Sequence, residues 1–195
     1  MLPDLWFVRH GATEWSEAGR HTGRTDVPLS AQGRAQAETL RALLGTHEFT
    51  TVLTSPLSRA RDTAALAGFP DAEPVDLLVE WDYGELEGLT TKQIRDRGPQ
   101  WAEWTIFTGD VPNGESIDQV ATRARSVLDR ADTATGSVLL FSHGHFLRVF
   151  TAAALDLAPT NGAQFALETA TVNVIGIEHA GRTLCRWNER PEALT

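Results

Sequence analysis

Arginine, histidine and glutamate side chains follow four separate apolar segments of the sequence. These residues are Arg9 and His10 after residues 5–8, Arg59 after residues 51–54, Glu80 after residues 75–79, and His143 after residues 137–141. A planar guanidinium group matches the oxygens of a phosphate or a carboxylate, and it stabilises a phosphoryl group during transfer. A neutral imidazole can form a covalent bond to phosphorus. These side-chain types therefore suit phosphoryl transfer if the fold brings them together.

The residue types also suggest a division of roles. His10 is the better candidate for the nucleophile, because Gly11 lets the chain turn tightly beneath a substrate. Neighbouring cations oppose protonation of the His10 imidazole, so we expect it to be neutral near pH 7. His143 would be a second phosphate donor, best as a cation held by the anionic substrate. Glu80 could protonate the leaving oxygen and then take a proton from water.

Each of these residues also has an ordinary structural explanation when it is taken alone. Arg59 and Arg61 could form surface ion pairs of little energy, and His143 could be a hydrogen-bonded core histidine. His143 and His145 have the spacing of a metal pair, but a third ligand segment is not evident, so no metal or cofactor is predicted. Five aromatic residues could line the mouth of a pocket or pack in the core: Trp81, Tyr83, Trp101, Trp104 and Phe107.

Apolar segments and helical patterns alternate along the chain. Predicted strands cover residues 5–8, 51–54, 75–79, 137–141, 171–177 and 183–187, and predicted helices begin near residues 30, 57, 92, 116 and 145. This alternation predicts an α/β fold with a mostly parallel sheet, in a single domain over residues 1–195. Ligands of such sheets bind beyond the carboxyl ends of the strands, where the candidate residues lie.

Composition restricts the class of partner. The chain has 195 residues and a net charge of −9, which disfavours binding to nucleic acids or anionic membranes. A signal-peptide pattern and an apolar run long enough to span a bilayer are both missing, so a cytoplasmic protein is predicted. The one cysteine, Cys185, cannot form an internal disulfide and is predicted to be a buried structural residue. The number of subunits is left open.

Six short motifs extend the candidate set over nearly the whole chain. They are Phe7–Trp15, His21–Ser30 with Gly33, Ser55–Ala60 with Thr63 and Ala64, Glu80–Gly84 with Glu87 and Gly88, Gly114–Ser116, and Ser142–Gly144. Their wording and order resemble the histidine phosphatase superfamily, which includes the cofactor-dependent phosphoglycerate mutases. The resemblance implies a three-layer αβα fold of the phosphoglycerate mutase type. It also implies that the reaction needs no metal, because the family needs none.

The resemblance also implies roles for individual residues. His10 matches the phosphorylated histidine, and Glu80 matches the proton donor. The rest of the phosphate pocket would be Arg9, Arg59 and His143. Predicted substrate-binding residues are Ser16 (where many members have asparagine), Thr22, Gly23, Gly144 and His145.

Departures from the family pattern favour a phosphatase over a mutase. The stretch between Gly88 and Gly114 is short, and it holds Lys92, Arg95 and Arg97 but no adjacent arginine pair. Mutases carry such a pair in a longer insertion, and less covering material gives water more access to a phosphohistidine. The predicted function is a metal-independent phosphatase of sugar phosphates or similar metabolites. A phosphoglycerate mutase and an inactive module that binds a phosphorylated ligand stay as alternatives.

Overall fold

A six-stranded sheet organises the chain. The computed structural model describes residues 2–179 and 181–190. The strands are β1 (Leu5–Arg9), β2 (Thr51–Thr54), β3 (Glu73–Pro74), β4 (Val138–Ser142), β5 (Val172–Glu178) and β6 (Gly181–Glu189). Their order in the sheet is β3-β2-β4-β1-β5-β6; pairs among the first four strands are parallel, and β5 is antiparallel to both neighbours. The prediction of a mostly parallel sheet is confirmed.

Most of the helices begin after a residue whose side chain caps them. They are α1 (Glu14–Glu17), α2 (Ala31–Leu44), α3 (Ser58–Leu66), α4 (Thr91–Arg95), α5 (Ile117–Ala131) and α6 (Gly144–Ala154), with 3₁₀ turns at Asp76–Leu78, Gly84–Leu86, Pro99–Trp101 and Pro159–Gln164. Ser30 caps α2 by accepting the Gly33 N–H, and Ser116 caps α5 in a capping box with Gln119. None of the helices in the described part of the chain is long and apolar enough to cross a membrane.

Alternating side chains of the sheet enter two separate hydrophobic clusters. In β1, Leu5 and Phe7 pack into one cluster, whereas Trp6 and Val8 pack into the other. Helices α5 and α6 contribute to the first cluster, and α2 and α3 contribute to the second. Because strand side chains alternate between faces, a buried strand needs a helical layer on each side. The predicted three-layer αβα architecture is confirmed; a single domain over residues 1–195 stays a prediction.

The segment 75–79 is not the strand that the sequence predicts. The β3 strand ends at Pro74, and Asp76–Leu78 forms a 3₁₀ turn instead. Leu78 is buried while Leu77 is exposed, so the apolar run turns into the core rather than continuing along the sheet edge. Ser142 fixes this turn by donating its hydroxyl to the Leu78 carbonyl at 2.7 Å. Glu80 therefore reaches the carboxyl edge of the sheet from a loop.

The register of the parallel strands aligns three of the predicted polar clusters. Arg9 pairs with Ser142, and Thr54 pairs with Phe141, so β1, β2 and β4 end at the same edge. The α2 helix then packs directly on the loop after β1: a Cβ added to Gly33 would lie 1.9 Å from the Ala12 carbonyl oxygen. This contact leaves no room for a side chain and fixes the loop that carries His10.

Cys185 is exposed, so the prediction of a buried cysteine is wrong. It lies on β6, which pairs only with β5 at the edge of the sheet. A strand with one neighbour and one open side leaves part of its side chains in solvent, and the sequence pattern does not distinguish an edge strand from a central one.

Candidate active site

A cavity of about 230 Å³ opens at the carboxyl edge of the sheet. Seven of the predicted site residues line it: Arg9, His10, Ser16, Thr22, Glu80, Gly144 and His145. The other three, Arg59, His143 and Gly23, are buried and are not part of its lining. Side chains from β1, from the loop after the 75–79 turn and from the start of α6 thus meet in one place, as the alignment of strand ends predicts.

The His10 imidazole has one nitrogen engaged and one available. Its Nδ1 lies 2.7 Å from the Gly11 carbonyl oxygen, and since a carbonyl only accepts, Nδ1 carries the proton. Nε2 then holds the lone pair, and no residue among 2–179 and 181–190 bonds to it. Burial, followed by the charges of Arg59 and Arg9, lowers the pKa of His10 well below 6.5. The expected neutral imidazole is confirmed, with burial as its largest cause.

Arg9 and the first residue of α6 have features that suit the binding of an anion. Arg9 Nη1 donates to the Leu167 carbonyl at 2.6 Å, but its buried Nε has no hydrogen-bond partner in the described ranges. A buried donor without an acceptor costs about 1–3 kcal/mol, and an anion would relieve this cost. Gly144 packs on the same guanidinium, because a Cβ added to it would meet Arg9 Nε at 3.2 Å. As the first residue of α6, Gly144 also brings the positive end of the helix to the cavity.

Glu80 is tied to the same helix by its carboxylate. Oε1 accepts from the Trp81 and Phe146 backbone N–H groups at 2.9 and 2.8 Å, and Oε2 accepts from His145 N–H at 3.0 Å. Each carboxylate oxygen has two acceptor positions, so Oε1 is saturated and Oε2 keeps one. Oε2 is therefore the oxygen of Glu80 that can carry a proton.

Arg59 and His143 are buried, are hydrogen-bonded to each other and are not part of the cavity lining. Arg59 donates from Nε to His143 Nδ1 at 3.1 Å, and His143 Nε2 lies 2.7 Å from Ser55 Oγ. The two η nitrogens of Arg59 donate to the carbonyl oxygens of Thr22, Gly23 and Thr25. The surface ion pair considered for Arg59 is thus excluded by its complete burial.

His143 is a neutral imidazole in this arrangement; the cation expected when the anionic substrate is bound stays a prediction. Its Nδ1 accepts from a guanidinium and so carries no proton. Burial, and then the nearby charges of Arg59 and His10, lower the pKa of His143 well below 6.5. Direct contacts of Arg59 and His143 with phosphate stay predictions, since neither side chain is part of the cavity lining.

Three other predicted substrate-binding residues, Ser16, Thr22 and Gly23, differ in their contacts. Ser16 lines the cavity, but its hydroxyl donates to the Thr13 carbonyl and accepts the Thr13 N–H in the capping box of α1. Thr22 lines the cavity and donates to the Arg20 carbonyl at 3.1 Å. Gly23 is needed for packing, because an added Cβ would lie 2.5 Å from the Trp81 carbonyl oxygen. Their substrate contacts stay predictions.

A sequence profile of the histidine phosphatase superfamily (branch 1) matches residues 5–190. The chain belongs to the histidine phosphatase superfamily. It is 45% identical over 184 residues to an acid phosphatase of Mycobacterium tuberculosis, covering 92% of this chain and 89% of that protein. It is 32% identical over 182 residues to sedoheptulose 1,7-bisphosphatase of Saccharomyces cerevisiae, covering 78% and 67%.

Solved structures agree with this family membership. The structure of an open reading frame from Mycobacterium tuberculosis superposes with a TM-score of 0.90 at 42% identity, and covers 97% of this chain and 99% of that one. The predicted phosphoglycerate mutase-like architecture is confirmed. Within the described residues of this histidine phosphatase, no group of three or more His, Cys, Asp or Glu side chains could hold a metal ion.

Sequence reasoning missed several polar residues of the cavity. His21, Arg20 and Arg148 are among them and line the cavity. Tyr83, one of the five aromatic residues considered for the mouth, also lines it, with its hydroxyl 2.6 Å from His145 Nδ1. Arg148 lies four residues after Gly144 on α6, and helical periodicity places residues four apart on one face. This spacing was the available signal for Arg148. The other four aromatic residues considered for the mouth, Trp81, Trp101, Trp104 and Phe107, are not part of its lining.

Buried histidines should make this histidine phosphatase sensitive to acid. Burial lowers the pKa of His21 to about 4 and those of His10, His143 and His145 well below 6.5. The unfolded chain therefore takes up protons first, and the free energy of unfolding falls as the pH drops below 6.5. Between pH 7 and pH 5, each such histidine removes up to about 2 kcal/mol. We expect the urea midpoint to fall steeply over this interval.

Two variants test the origin of this sensitivity. His21→Gln removes one buried titrating group and should weaken the pH dependence of the urea midpoint. The matched control is His47→Gln, an exposed histidine outside the cavity, which should leave the pH dependence unchanged. A midpoint that stays constant from pH 7 to pH 5 in the wild type would contradict the expectation.

Proposed function

We propose that this chain is a phosphomonoesterase that hydrolyses small phosphorylated metabolites through a phosphohistidine on His10, without a metal. The observation that carries the proposal is the available Nε2 of His10 in one cavity with Arg9, whose buried Nε has no hydrogen-bond partner among the described residues. A neutral nucleophile beside an unsatisfied cationic donor is what an incoming phosphate monoester needs.

The first half-reaction uses four groups of the cavity. The phosphate lies against Arg9 and the N-terminus of α6, and His10 Nε2 attacks the phosphorus. The N–P bond forms while the P–O bond to the leaving group breaks, and Glu80 Oε2 gives its proton to the leaving oxygen. The Gly11 carbonyl keeps Nδ1 protonated and orients the ring throughout. The product alcohol departs, and the phosphoryl group stays on His10.

The second half-reaction reverses the role of Glu80. Its carboxylate takes a proton from water as the water oxygen attacks phosphorus. The N–P bond breaks, the electron pair returns to Nε2, and inorganic phosphate is released. One carboxyl group thus serves as acid and then as base, and the enzyme returns to its starting protonation state.

The wall of the cavity supports a small, polar leaving group. Hydroxyl and imidazole groups line it at Thr22, Thr91, His21 and Tyr83. Such neutral donors and acceptors match the hydroxyl groups of a sugar. A volume of about 230 Å³ also favours a small metabolite over a phosphorylated protein segment. A sugar phosphate is the substrate class that we propose, in line with the bisphosphatase activity named for the yeast relative.

The arrangement of residues 88–114 favours hydrolysis over mutase chemistry. Lys92 is exposed and pairs with Asp96 at 2.6 Å, and Arg95 donates to the Trp104 carbonyl. Neither cation lines the cavity, so this stretch brings no positive charge to a substrate carboxylate.

The net charge of −9 opposes binding to nucleic acids and to anionic membranes, so neither is proposed as a partner. We propose a cytoplasmic location for the protein.

Phosphate release from a panel of phosphomonoesters tests the proposal. The panel contains sugar mono- and bisphosphates and 3-phosphoglycerate, and EDTA is present throughout. We expect phosphate release that EDTA does not reduce, with the highest kcat/KM for a sugar phosphate. Conversion of 3-phosphoglycerate to 2-phosphoglycerate without phosphate release would instead support the mutase. Ligand binding with no turnover of any substrate would support the inactive binding module.

A further inference from the structure

The segment that carries Glu80 has little regular structure of its own. It runs through residues 77–82, from the 3₁₀ turn Asp76–Leu78 toward the 3₁₀ turn Gly84–Leu86. Its position is fixed from outside by the guanidinium of Arg123, on α5, and by the carboxylate of Glu115, which lies just before α5. We call these two residues the bracket.

Arg123 directs its donors at the backbone on both sides of Glu80. Nη1 donates to the carbonyl oxygens of Leu77 and Val79 at 2.8 and 2.7 Å, and Nη2 reaches the Glu80 carbonyl at 3.4 Å. Nε and Nη2 also donate to the two oxygens of Glu115 at 3.0 and 2.9 Å. All five N–H groups of the guanidinium are used, in a side chain that is only 10% exposed.

Glu115 holds the next part of the segment. Its Oε2 accepts the Asp82 N–H at 2.9 Å, and its own backbone N–H donates to the Asp82 carbonyl at 2.9 Å. Its carbonyl oxygen accepts from Trp81 Nε1 at 2.8 Å. Together with Arg123, it therefore engages the backbone or side chain of every residue from 77 to 82 except residue 78, whose carbonyl is held by Ser142.

The bracket also contacts Phe146, a residue of α6 whose backbone N–H holds the Glu80 carboxylate. The Arg123 guanidinium carbon lies 4.6 Å from the centre of the Phe146 ring, and Phe146 N–H donates to Glu80 Oε1. Neither Arg123 nor Glu115 lines the cavity. The bracket therefore does not contact the substrate itself, and its hydrogen bonds lead to the segment that carries Glu80.

We propose that Arg123 and Glu115 are positioning residues that keep Glu80 Oε2 in reach of the leaving oxygen. This inference rests on the proposed function, because it takes Glu80 as the proton donor. An alkoxide needs that proton as the P–O bond breaks, whereas p-nitrophenolate leaves as a stable anion without it. Disturbing the bracket should therefore slow phosphoryl transfer from alkyl phosphates and spare transfer from p-nitrophenyl phosphate.

The test compares kcat/KM for glycerol 2-phosphate and p-nitrophenyl phosphate, because kcat/KM reports the step in which the leaving group departs. The variants are Arg123→Lys, which keeps the charge but not the planar fork, and Glu115→Gln, which keeps the shape but not both acceptor oxygens. We expect kcat/KM for glycerol 2-phosphate to fall about 10- to 100-fold. For p-nitrophenyl phosphate we expect a change within about threefold. In a Glu80→Gln background, Arg123→Lys should cause no further loss.

The matched control is Arg182→Lys. Arg182 forms an ion pair with Asp132, and its side chain is only 8% exposed. This variant should leave the ratio of the two kcat/KM values unchanged. Equal losses for both substrates in the bracket variants, or a further loss in the Glu80→Gln background, would overturn the inference and indicate a general structural role. A wild type that releases phosphate from neither substrate would refute the proposed function itself.

Discussion

Replacement of His10 by alanine should reduce kcat/KM for every phosphomonoester by on the order of 10⁴-fold or more. The alanine side chain offers no nucleophile at the position that Nε2 of His10 occupies in the lining of the cavity. Binding of substrate should persist, because Arg9 and the N-terminus of α6 are unchanged. Phosphate release measured with EDTA present checks the loss of activity. Binding of inorganic phosphate to His10→Ala checks that the variant keeps its phosphate site.

The covalent intermediate separates this expectation from a simple loss of structure. Rapid quenching of the wild type with substrate, followed by intact-mass measurement, should detect one phosphoryl group on the protein. The same measurement on His10→Ala should detect none. His47→Ala, at an exposed histidine outside the cavity, is the control and should behave as the wild type. Turnover that survives in His10→Ala at near wild-type kcat/KM would exclude the phosphohistidine.

The position of His10 follows from the sequence for a simple physical reason. A short apolar run such as residues 5–8 fits a buried strand, and parallel strands present their carboxyl ends at one edge. The residues after β1, β2 and β4 must then be neighbours, as the pairing of Arg9 with Ser142 shows. Motif order adds the identity of the family. Together, these local signals are enough to place His10 and Gly144 in one cavity.

Tertiary contacts decided what the sequence could not. Whether Arg59 lines the cavity or is buried outside its lining depends on three carbonyl groups of the loop at residues 22–25. The path of a loop has no periodicity from which it could be predicted. The 3₁₀ turn at Asp76–Leu78 depends likewise on the hydroxyl of Ser142, which is distant in sequence. Apolar runs of four or five residues fit a strand or a turn that enters the core equally well.

Replacement of Glu80 by glutamine should slow the first half-reaction by about 10²- to 10⁴-fold for alkyl phosphates. Glutamine has no proton to give, and its NH₂ group or its oxygen must face the His145 N–H that now donates to Oε2. The loss of kcat/KM for p-nitrophenyl phosphate should be much smaller. The second half-reaction also loses its base, so the phosphorylated enzyme should accumulate during turnover.

The pH dependence gives the sharpest test of the acid role. The reaction needs Glu80 protonated and His10 neutral at the same time. Because burial lowers the pKa of His10 well below 6.5, this imidazole stays neutral as the pH falls through that value. A reaction that depends on a general acid is favoured at lower pH as long as its nucleophile stays neutral. Wild-type kcat/KM for an alkyl phosphate should therefore rise from pH 8 toward acid pH, and the rise should disappear in Glu80→Gln.

Two results separate this role from a general effect of charge. Glu85→Gln removes an exposed carboxylate from the same stretch of chain and should keep the wild-type pH profile. An optimum well above neutrality that Glu80→Gln leaves unchanged would remove Glu80 as the proton donor. In that case Tyr83 would be the remaining hydroxyl acid beside His145, and since burial raises its pKa well above 10, its proton is retained over the whole range of the assay. The acid-side rise in rate can therefore come from a carboxyl group but not from this phenol, which is why the profile identifies the donor.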